Sequence, residues 1–398
     1  MREAAIIATA RTGIGKAYRG AFNNTEAPVL AGHVMRAAAE RAGMDPARID
    51  DIFWGVANQS GTQAGNAGRM AVFAAGMPQS VPAFTLDRKC GSGLTAMALA
   101  ARSIIAGDID VALSGGMESI SLTMTKGMSS YVNQSVIANE PDAYMAMIET
   151  AEIVAERYGI SREAQDAFAA MSQQRAEAGL AKGAFLEEIV PITVEKAIFD
   201  KEGNRTGTET VTVTQDEGIR AGTTVEALAQ LKPVWKGGSV IAEGRHITAG
   251  NASQLSDGAA AQIVMDRAMA EAEGKEILGI YRGFQAAGCG PGEMGIGPIF
   301  AIPKLLDRAG LKVEDIGLWE LNEAFASQCL YCRDHLGIDP ERYNVNGGAI
   351  AVGHPFGMTG ARLIGHALIE ARKRGVRYAV VSMCTAGGMG AAGLFEII

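Results

Sequence analysis

The sequence is poor in the residues that hold together small secreted proteins or metal-dependent proteins. Its 398 residues include only five cysteines and five histidines. The cysteines are scattered and odd in number, so no disulfide framework is predicted. They favour a reducing compartment, because a thiol nucleophile must stay reduced in order to work.

The sequence also lacks the features of proteins that bind nucleic acids or span membranes. Its 44 acidic side chains outnumber its 36 Lys and Arg, giving a net charge of −8, whereas phosphate contacts need clustered Lys and Arg. No apolar run reaches membrane-spanning length, and residues 1–7 are typical of a first strand and not of a signal peptide. Residues 394–398 do not form a peroxisomal tripeptide. We therefore expect a cytoplasmic protein without nucleic-acid partners and without a membrane span.

The chain contains a faint internal repeat. Arg41-Ala-Gly-Met and Arg308-Ala-Gly-Leu each precede an Asp-Ile pair and an apolar strand, and Gly107 and Gly375 each end a helical pattern before a strand. The matching positions are separated by roughly 265 residues throughout, which is typical of a duplicated unit. The pattern predicts two similar α/β halves, residues 1–118 and 250–398, each with helices covering a mixed or mostly parallel sheet.

The segment between the halves has a different character. Residues 149–183 have a helical pattern, and Ser161 is a predicted N-cap within it. Residues 196–224 are polar and rich in threonine and turn residues. We therefore expect residues 119–249 to form an inserted loop domain.

Three motifs contain candidate nucleophiles or proton carriers. Cys90 opens Cys-Gly-Ser-Gly at a predicted strand-to-helix junction, and the start of a helix stabilises a thiolate. His354 lies in the glycine-rich run 347–360, and Cys384 follows an apolar strand and opens a glycine-rich turn. Two thiols and an imidazole converging on one site would indicate covalent catalysis with separate proton transfer.

Each of these residues also has a structural alternative. A lone cysteine is usually a buried packing residue, and a lone histidine usually belongs to the core. Cys289, in another glycine-rich turn, fits a structural role and a substrate-lining role equally well. Cys329 and Cys332 form a CxxC without a second ligand pair, so we predict packing and no metal site. The remaining four histidines are assigned structural roles.

Four motifs, taken in order, resemble those of the thiolase family over essentially the whole chain. They are Cys90-Gly-Ser-Gly, Asn322-Glu-Ala-Phe, Gly353-His-Pro-Phe-Gly, and Cys384 with its glycine turn. The resemblance implies the α/β thiolase fold: two similar βαβαβαββ halves in a five-layer α-β-α-β-α arrangement, plus an inserted loop domain that binds coenzyme A.

The resemblance also implies a ping-pong acyl transfer with coenzyme A as a substrate and without metal or prosthetic group. Cys90 would attack a 3-oxoacyl-CoA while His354 assists its deprotonation, and Cys384 would protonate the acetyl-CoA enolate and later deprotonate the incoming CoA thiol. His354 and a water held by Asn322 would form one oxyanion hole. The main-chain N–H groups of Cys90 and Ala386 would form the other.

Further positions match the family's substrate contacts. The resemblance implies that Arg220 contacts the nucleotide and that Trp235 is the aromatic residue beside the pantetheine arm. It also implies that Ala249 and Ser253 contact the pantetheine and that Met147 and Met294 line the acyl pocket.

The chain departs from the family pattern at two informative positions. Ala386 stands where the family usually has glycine, and an alanine side chain disfavours a positive φ. Ala146 stands where short-chain biosynthetic thiolases have a histidine. The stretch from residue 235 to 248 is also longer than usual, and the region from 119 to 147 is shorter.

These features predict a degradative 3-ketoacyl-CoA thiolase, an acetyl-CoA C-acyltransferase of fatty acid β-oxidation. An acetoacetyl-CoA thiolase running biosynthetic condensation is an alternative that Ala146 disfavours. Ketoacyl synthases lack a second catalytic cysteine, so Cys384 argues against them. A catalytically silent CoA-binding relative is suggested only by Ala386. We also expect a homodimer or homotetramer, from the family habit and the apolar strand near Ile109 and Val111.

Overall fold

The computed structural model describes residues 2–124 and 132–398, and the described residues alternate between strands and helices. In chain order the strands are β1 (Ala4–Arg11), β2 (Gly15–Lys16), β3 (Asp51–Gly55), β4 (Ala83–Leu86), β5 (Val111–Ser119), β6 (Ile192–Phe199), β7 (Arg205–Val213), β8 (Ser256–Asp266), β9 (Gly279–Gly288), β10 (Leu318–Leu321), β11 (Tyr378–Thr385) and β12 (Met389–Glu396).

The helices fill the intervals between these strands. They are α1 (Ala27–Arg41), α2 (Ala67–Ala74), α3 (Ser92–Ala106), α4 (Ile120–Thr123), α5 (Gln134–Asn139), α6 (Met147–Arg157), α7 (Arg162–Ala181), α8 (Val225–Ala229), α9 (Arg267–Ala272), α10 (Pro298–Ala309), α11 (Ala326–Leu336), α12 (Ala349–Val352) and α13 (Phe356–Arg374). None of the described helices is both long and apolar enough to cross a membrane.

The predicted repeat is confirmed in the pairing of the strands. The main sheet has the order β10-β11-β12-β9-β1-β8-β5-β3-β4, with β2 beside β8. Strands β3 and β5 pair in parallel with Asp51 opposite Ala112, and β10 and β11 pair in parallel with Leu318 opposite Ala379. The partners are 61 positions apart in both pairs (112 minus 51, 379 minus 318). The two halves therefore repeat the same strand–helix–strand unit.

Two helices from different halves form the middle layer. Helices α3 and α13 pack against each other and against strands of both halves, and residues such as Leu94, Met97 and Leu363 share one apolar core with them. Helices α1 and α2 cover the opposite face of the first half, whereas α10 and α11 cover that of the second. The α-β-α-β-α layering expected from the sequence is confirmed.

The loop domain supplies helices and a hairpin. Ser161 caps α7, and its hydroxyl accepts a hydrogen bond from the Ala164 main-chain N–H at 3.2 Å. The polar segment that follows contains the antiparallel pair β6 and β7. Alternate residues of β6, including Ile192 and Val194, are buried, as expected for a half-buried strand. Residues 125–131 of the short region noted in the sequence lie outside the described part of the chain.

The division of the chain into a loop domain and a second half at residue 250 remains a prediction. The pairing of the strands shows how the two halves are connected. Strand β8 follows that division in the chain, yet it pairs with β1 and β5 of the first half. The pairing of β9 is mainly with β12 of the second half. The first half therefore takes its central strand from beyond the loop domain, which a search for sequence repeats does not reveal.

One buried carboxylate joins three elements at the edge of the middle layer. Glu118, at the end of β5, accepts main-chain hydrogen bonds from Ala57 (3.0 Å), Asn58 (3.2 Å) and Gly357 (2.9 Å), and a side-chain bond from Gln63 (2.6 Å). Burial raises the pKa of Glu118, although these donors lower it. The start of α13 is thereby fixed to the end of β5 and to the residues that follow β3.

Replacing Gly116 by alanine should destabilise this junction. A Cβ on Gly116 would lie 2.0 Å from the Gly357 carbonyl oxygen, and overpacking of this kind costs about 1–3 kcal/mol. Gly207→Ala on β7 is the control, since a Cβ there meets nothing within 4 Å among the described residues. Denaturant unfolding should show a lower free energy of unfolding for Gly116→Ala alone. Equal stability of the two variants would contradict the close approach.

Candidate active site

Cys90 lies in a tight turn at the start of a middle-layer helix. The 3-10 turn Lys89–Gly91 leads directly into α3, and Lys89 has a φ of +47°, which is uncommon for a residue other than glycine. The Ser92 hydroxyl accepts from the Arg88 main-chain N–H at 2.9 Å and donates to the Lys89 carbonyl at 2.7 Å. These bonds hold the turn, and with it the direction of the Cys90 side chain.

The Cys90 thiol is protonated when no substrate is present. Burial raises its pKa to about 12, although hydrogen bonding by the main-chain N–H groups of Ala386 and of Cys90 itself lowers it. The structure thus places beside the sulfur the two N–H groups that the resemblance assigned to an oxyanion hole. Activation of the thiol then requires a base.

His354 is the candidate base, and it is almost fully buried, with 2% of its surface exposed. It precedes α13, and its main-chain N–H donates to the Gln254 carbonyl at 3.1 Å. Burial lowers the pKa of His354 to about 3, with a further contribution from the Arg362 charge. The imidazole is therefore neutral at physiological pH.

The hydrogen bonds of His354 determine its tautomer. Its Nδ1 lies 2.7 Å from the Thr359 hydroxyl, and that hydroxyl donates its own hydrogen to the Pro355 carbonyl at 2.8 Å. The hydroxyl can therefore only accept from His354, so Nδ1 carries the proton and Nε2 carries the lone pair. Thr359 was not identified from the sequence, where nothing distinguished it from other polar residues near a glycine-rich loop.

Asn322 faces the same imidazole. Its Nδ2 lies 3.2 Å from Nε2 of His354, and its buried Oδ1 has no hydrogen-bond partner among the described residues. The neighbouring Glu323 fixes this segment, because its carboxylate accepts from Ser172 (2.6 Å), Asn344 (3.0 Å) and the Ile350 main-chain N–H (3.2 Å). The contact of Asn322 with His354 is direct, and the water that Asn322 would hold stays a prediction.

Cys384 completes the group of reactive side chains. It lies at the end of β11 and is fully buried. A Cβ on Gly91 would be 2.9 Å from the Thr385 side chain, so the residues that follow the two cysteines are in contact. Burial and the neighbouring Cys90 thiol raise the pKa of Cys384 well above its usual range. The structure therefore brings Cys90 and Cys384 together, with His354 and Asn322 as a second contacting pair.

The turn after Cys384 accommodates alanine without backbone strain. Gly387 and Gly388 have φ angles of 84° and 78°, whereas Ala386 is not among the described non-glycine residues with positive φ. The alanine at this position therefore needs no positive φ, because the left-handed conformation falls on the two glycines that follow it.

Both predicted acyl-pocket residues contact the apolar surroundings of Cys384. Met294 and Cys384 belong to one buried cluster with Phe325 and Ile247, and Met147 packs against that cluster from the start of α6. The geometry fits an apolar substrate group next to the second thiol.

The predicted coenzyme A contacts separate into two places. Arg220 and Ala249 line one cavity of about 310 Å³, together with Leu228 and Leu231. Ser253 and Trp235 are not among the described residues of its lining. The Ser253 main-chain N–H donates to the Ala324 carbonyl at 2.9 Å, which places this loop directly beside the Asn322 segment.

Two buried glutamates, whose role the sequence did not indicate, fix the loop that contains Trp235. Glu149 accepts from the main-chain N–H groups of Val240 (2.7 Å) and Ile241 (3.0 Å). Glu152 accepts from those of residues 245–247 at 2.7–3.1 Å. Both lie on α6, where a helical pattern of charged residues predicts only a solvated face.

Comparisons with known proteins match this chain to one family along its whole length. The family models "Thiolase, N-terminal domain" and "Thiolase, C-terminal domain" match residues 4–268 and 275–397. The chain is 44% identical over 397 residues to a 3-ketoacyl-CoA thiolase of Bacillus subtilis, with 100% of both chains covered. It is 46% identical to the peroxisomal 3-ketoacyl-CoA thiolase B of Rattus norvegicus, covering 97% of this chain and 89% of the relative.

A solved structure agrees as well. The Bacillus anthracis acetyl-CoA acetyltransferase superposes with a TM-score of 0.87 at 35% identity, covering 100% of this chain and 99% of the other.

Removing the Thr359 hydroxyl should slow the reaction of Cys90 with alkylating agents. In Thr359→Val the Nδ1–H of His354 loses its acceptor, the other tautomer becomes favoured, and Nε2 no longer accepts the thiol proton. We expect alkylation by iodoacetamide, followed by mass spectrometry of the Cys90 peptide, to be roughly tenfold slower. Thr359→Ser keeps the hydroxyl and should react like the wild type. Equal rates for all three proteins would contradict the assigned tautomer.

Proposed function

The chain belongs to the thiolase family, and we propose that it cleaves 3-oxoacyl-CoA with coenzyme A, giving acetyl-CoA and an acyl-CoA shortened by two carbons. Its relatives named 3-ketoacyl-CoA thiolase are 43–46% identical over nearly the full length. The observation that best supports the proposal is the arrangement of Cys90 with the Ala386 N–H beside its sulfur and a second buried thiol, Cys384, nearby.

The first half-reaction transfers the acyl group to Cys90. The free Nε2 of His354 takes the Cys90 proton, and the sulfur attacks the 3-keto carbon of the substrate. The bond between C2 and C3 then breaks, leaving an acyl thioester on Cys90 and an acetyl-CoA enolate. The Nε2–H that His354 has gained, together with Asn322, stabilises the enolate oxygen. Cys384 gives its proton to the enolate carbon and becomes a thiolate.

The second half-reaction restores the enzyme. The Cys384 thiolate takes the proton of a second CoA thiol, whose sulfur attacks the acyl group on Cys90. The main-chain N–H groups of Cys90 and Ala386 stabilise the tetrahedral oxyanion. When that intermediate collapses, the acyl-CoA leaves and the Cys90 thiolate recovers its proton from His354. All protons and electrons are thereby returned, so the cycle needs no redox partner.

Coenzyme A is a substrate in this scheme, and we propose no resident cofactor. The cavity lined by Arg220 and Ala249 supplies one cationic side chain for an anionic nucleotide and small residues for a narrow pantetheine arm. Within residues 2–124 and 132–398, no group of three or more His, Cys, Asp or Glu side chains is placed to hold a metal ion. The carried-over roles of Trp235 and Ser253 are part of this proposal.

The proposed direction is degradative, in fatty acid β-oxidation. Ala146, the N-cap of α6, has only a methyl side chain and cannot form the polar contact with a short acyl substrate that a histidine could. An acetoacetyl-CoA thiolase is the second candidate, favoured by the likeness to the acetyl-CoA acetyltransferase structure. Comparing kcat/KM for 3-oxoacyl-CoA substrates of increasing length separates the two, because the second candidate accepts only the four-carbon substrate well. The hypothesis of a catalytically silent relative rested only on Ala386, and it loses that support because Ala386 does not strain the turn.

We place the enzyme in the cytoplasm on redox grounds. All five cysteines are free thiols, and the chemistry needs Cys90 and Cys384 reduced, which a reducing compartment maintains. Some relatives are named peroxisomal, so this placement rests on the thiols and not on the relationship.

Mass spectrometry of the acyl-enzyme tests the function and the two cysteine roles together. Cys90→Ala should form no acyl-enzyme and show no thiolysis. Cys384→Ser should lose thiolysis far more than it loses acylation, because a hydroxyl is a poor proton carrier near neutral pH compared with a thiol of pKa about 8.5. Equal loss of acyl-enzyme in both variants, or full thiolysis by Cys90→Ala, would contradict the mechanism.

We also propose that the chain forms at least a homodimer. Strand β4 ends the sheet with no further strand beside it among the described residues, and Met70 and Phe73 on the adjacent α2 are 40% and 48% exposed. The interface first expected near Val111 is wrong, because β5 lies inside the sheet and Val111 is 2% exposed.

Light scattering at micromolar concentration should give at least twice the 41.5 kDa chain mass. Phe73→Glu should lower that mass by placing a charge in an apolar contact. A monomeric wild type would refute the proposal.

A further inference from the structure

A glutamine outside the sequence motifs contacts the second thiol. Gln328 lies in the first turn of α11 and is fully buried. Its side-chain Oε1 position is 3.1 Å from the Sγ of Cys384. The helix begins just after the Asn322-Glu-Ala-Phe segment, so this amide joins two parts of the site.

The neighbours of the amide determine which of its ends faces the sulfur. With oxygen towards Cys384, that oxygen also faces the Asn322 carbonyl, and the nitrogen faces the Cys329 main-chain N–H. A half-turn of the amide exchanges the two ends. Nε2 then donates to the Asn322 carbonyl at 3.3 Å, and Oε1 accepts from the Cys329 N–H at 2.8 Å. Since an amide nitrogen carries two hydrogens, the second one remains for Cys384.

The other groups around Cys384 do not stabilise a thiolate. The titratable side chains that act most strongly on it in the described part of the chain are Cys90, Cys332 and Cys289, and Cys329 also interacts with it. They come from the turn before α3, the turn after β9 and the helix α11. Each raises the pKa of a neighbouring thiol when ionised, and burial raises it further. Besides the main-chain N–H of Cys384 itself, Gln328 is the neighbour placed to oppose them.

We propose that Gln328 is a positioning residue that donates an N–H hydrogen bond to the Cys384 sulfur and stabilises its thiolate between the two half-reactions. The chemical use of that thiolate rests on the proposed function, whereas the hydrogen bond does not. With a donor facing the sulfur, the hydrogen of the neutral thiol is not held by Gln328 and is free for the substrate. The same nitrogen donates to the Asn322 carbonyl. Gln328 therefore fixes the position of Cys384 relative to Asn322, the residue that contacts His354.

Two substitutions remove the donor while keeping a side chain of similar size. Gln328→Met is apolar and of similar length, and Gln328→Leu is apolar and slightly shorter. Both should raise the pKa of Cys384, because a hydrogen bond to a charged group is lost. The thiolate fraction at neutral pH then falls. Gln165→Met is the matched control, since Gln165 is equally buried but bonds only the Ile160 carbonyl on the loop domain.

The test is the pH dependence of Cys384 alkylation by iodoacetamide, followed on its peptide by mass spectrometry. It uses the full chain carrying Cys90→Ala, so that the first thiol does not compete. For both Gln328 variants the midpoint should move up by about one pH unit, which means about tenfold slower alkylation below the midpoint. With Cys90 intact, kcat for thiolysis should need a correspondingly higher pH, with KM little changed. Gln165→Met should leave both profiles in place.

The outcomes separate this proposal from the proposed function. An unchanged Cys384 profile in Gln328→Leu would overturn the hydrogen bond even if Gln328→Met fails to fold. An equal shift in Gln165→Met would show a general effect of core substitution and would overturn it too. A shifted alkylation profile in a protein whose wild type has no thiolysis activity would instead refute the proposed function and leave the Gln328 contact established.

Discussion

The close approach of α3 and α13 at their N-terminal ends is the constraint on which the site depends. A Cβ on Gly93 would lie 2.8 Å from the Gly357 carbonyl, and one on Gly360 would lie 2.3 Å from the Leu94 main-chain nitrogen. Only glycine permits this separation, and it brings the start of the helix that follows His354 against the start of the helix that follows Cys90. Glu118 then fixes the junction with its four hydrogen bonds.

A buried ion network fixes the loop domain to this core. Arg11 on β1 bonds Glu188 at 2.8 Å and Asp216 at 2.6 Å, and Glu188 also bonds His366 on α13. Burial alone raises the pKa of Glu188, but the His366 and Arg11 charges lower it to about 2. Buried pairs of this kind are poor sources of net stability, whereas removing one partner costs about 3–5 kcal/mol. The network therefore positions the loop domain, because residues 188 and 216 flank the chain segment that leads to Arg220.

The sequence predicted the reactive residues better than the groups that orient them. Cys90, His354 and Cys384 were recognisable because each lies in a glycine-rich turn, which has few structural explanations. Glu118 and Gln328 act through partners distant in the sequence, so no local pattern identifies them. The fold followed from periodicity and the repeat, but the pairing of β8 with β1 depends on tertiary contacts alone.

Burial shifts the pKa values of both groups in the proposed proton transfer, the Cys90 thiol and the His354 imidazole. It raises the pKa of Cys90 to about 12 and lowers that of His354 to about 3, so the thiol and the imidazole are both neutral at rest. An ion pair in that environment without substrate would be costly to form. In the proposed mechanism, charge would therefore develop only as the acyl group reacts, when the N–H groups of Cys90 and Ala386 and the Nε2–H of His354 would have an oxyanion to receive. Because the N–H groups of Cys90 and Ala386 already lie beside the sulfur, little reorganisation would be needed at that moment. Activation of the nucleophile would then depend on the presence of its substrate, which would protect the half-buried Cys90 thiol from reacting between turnovers.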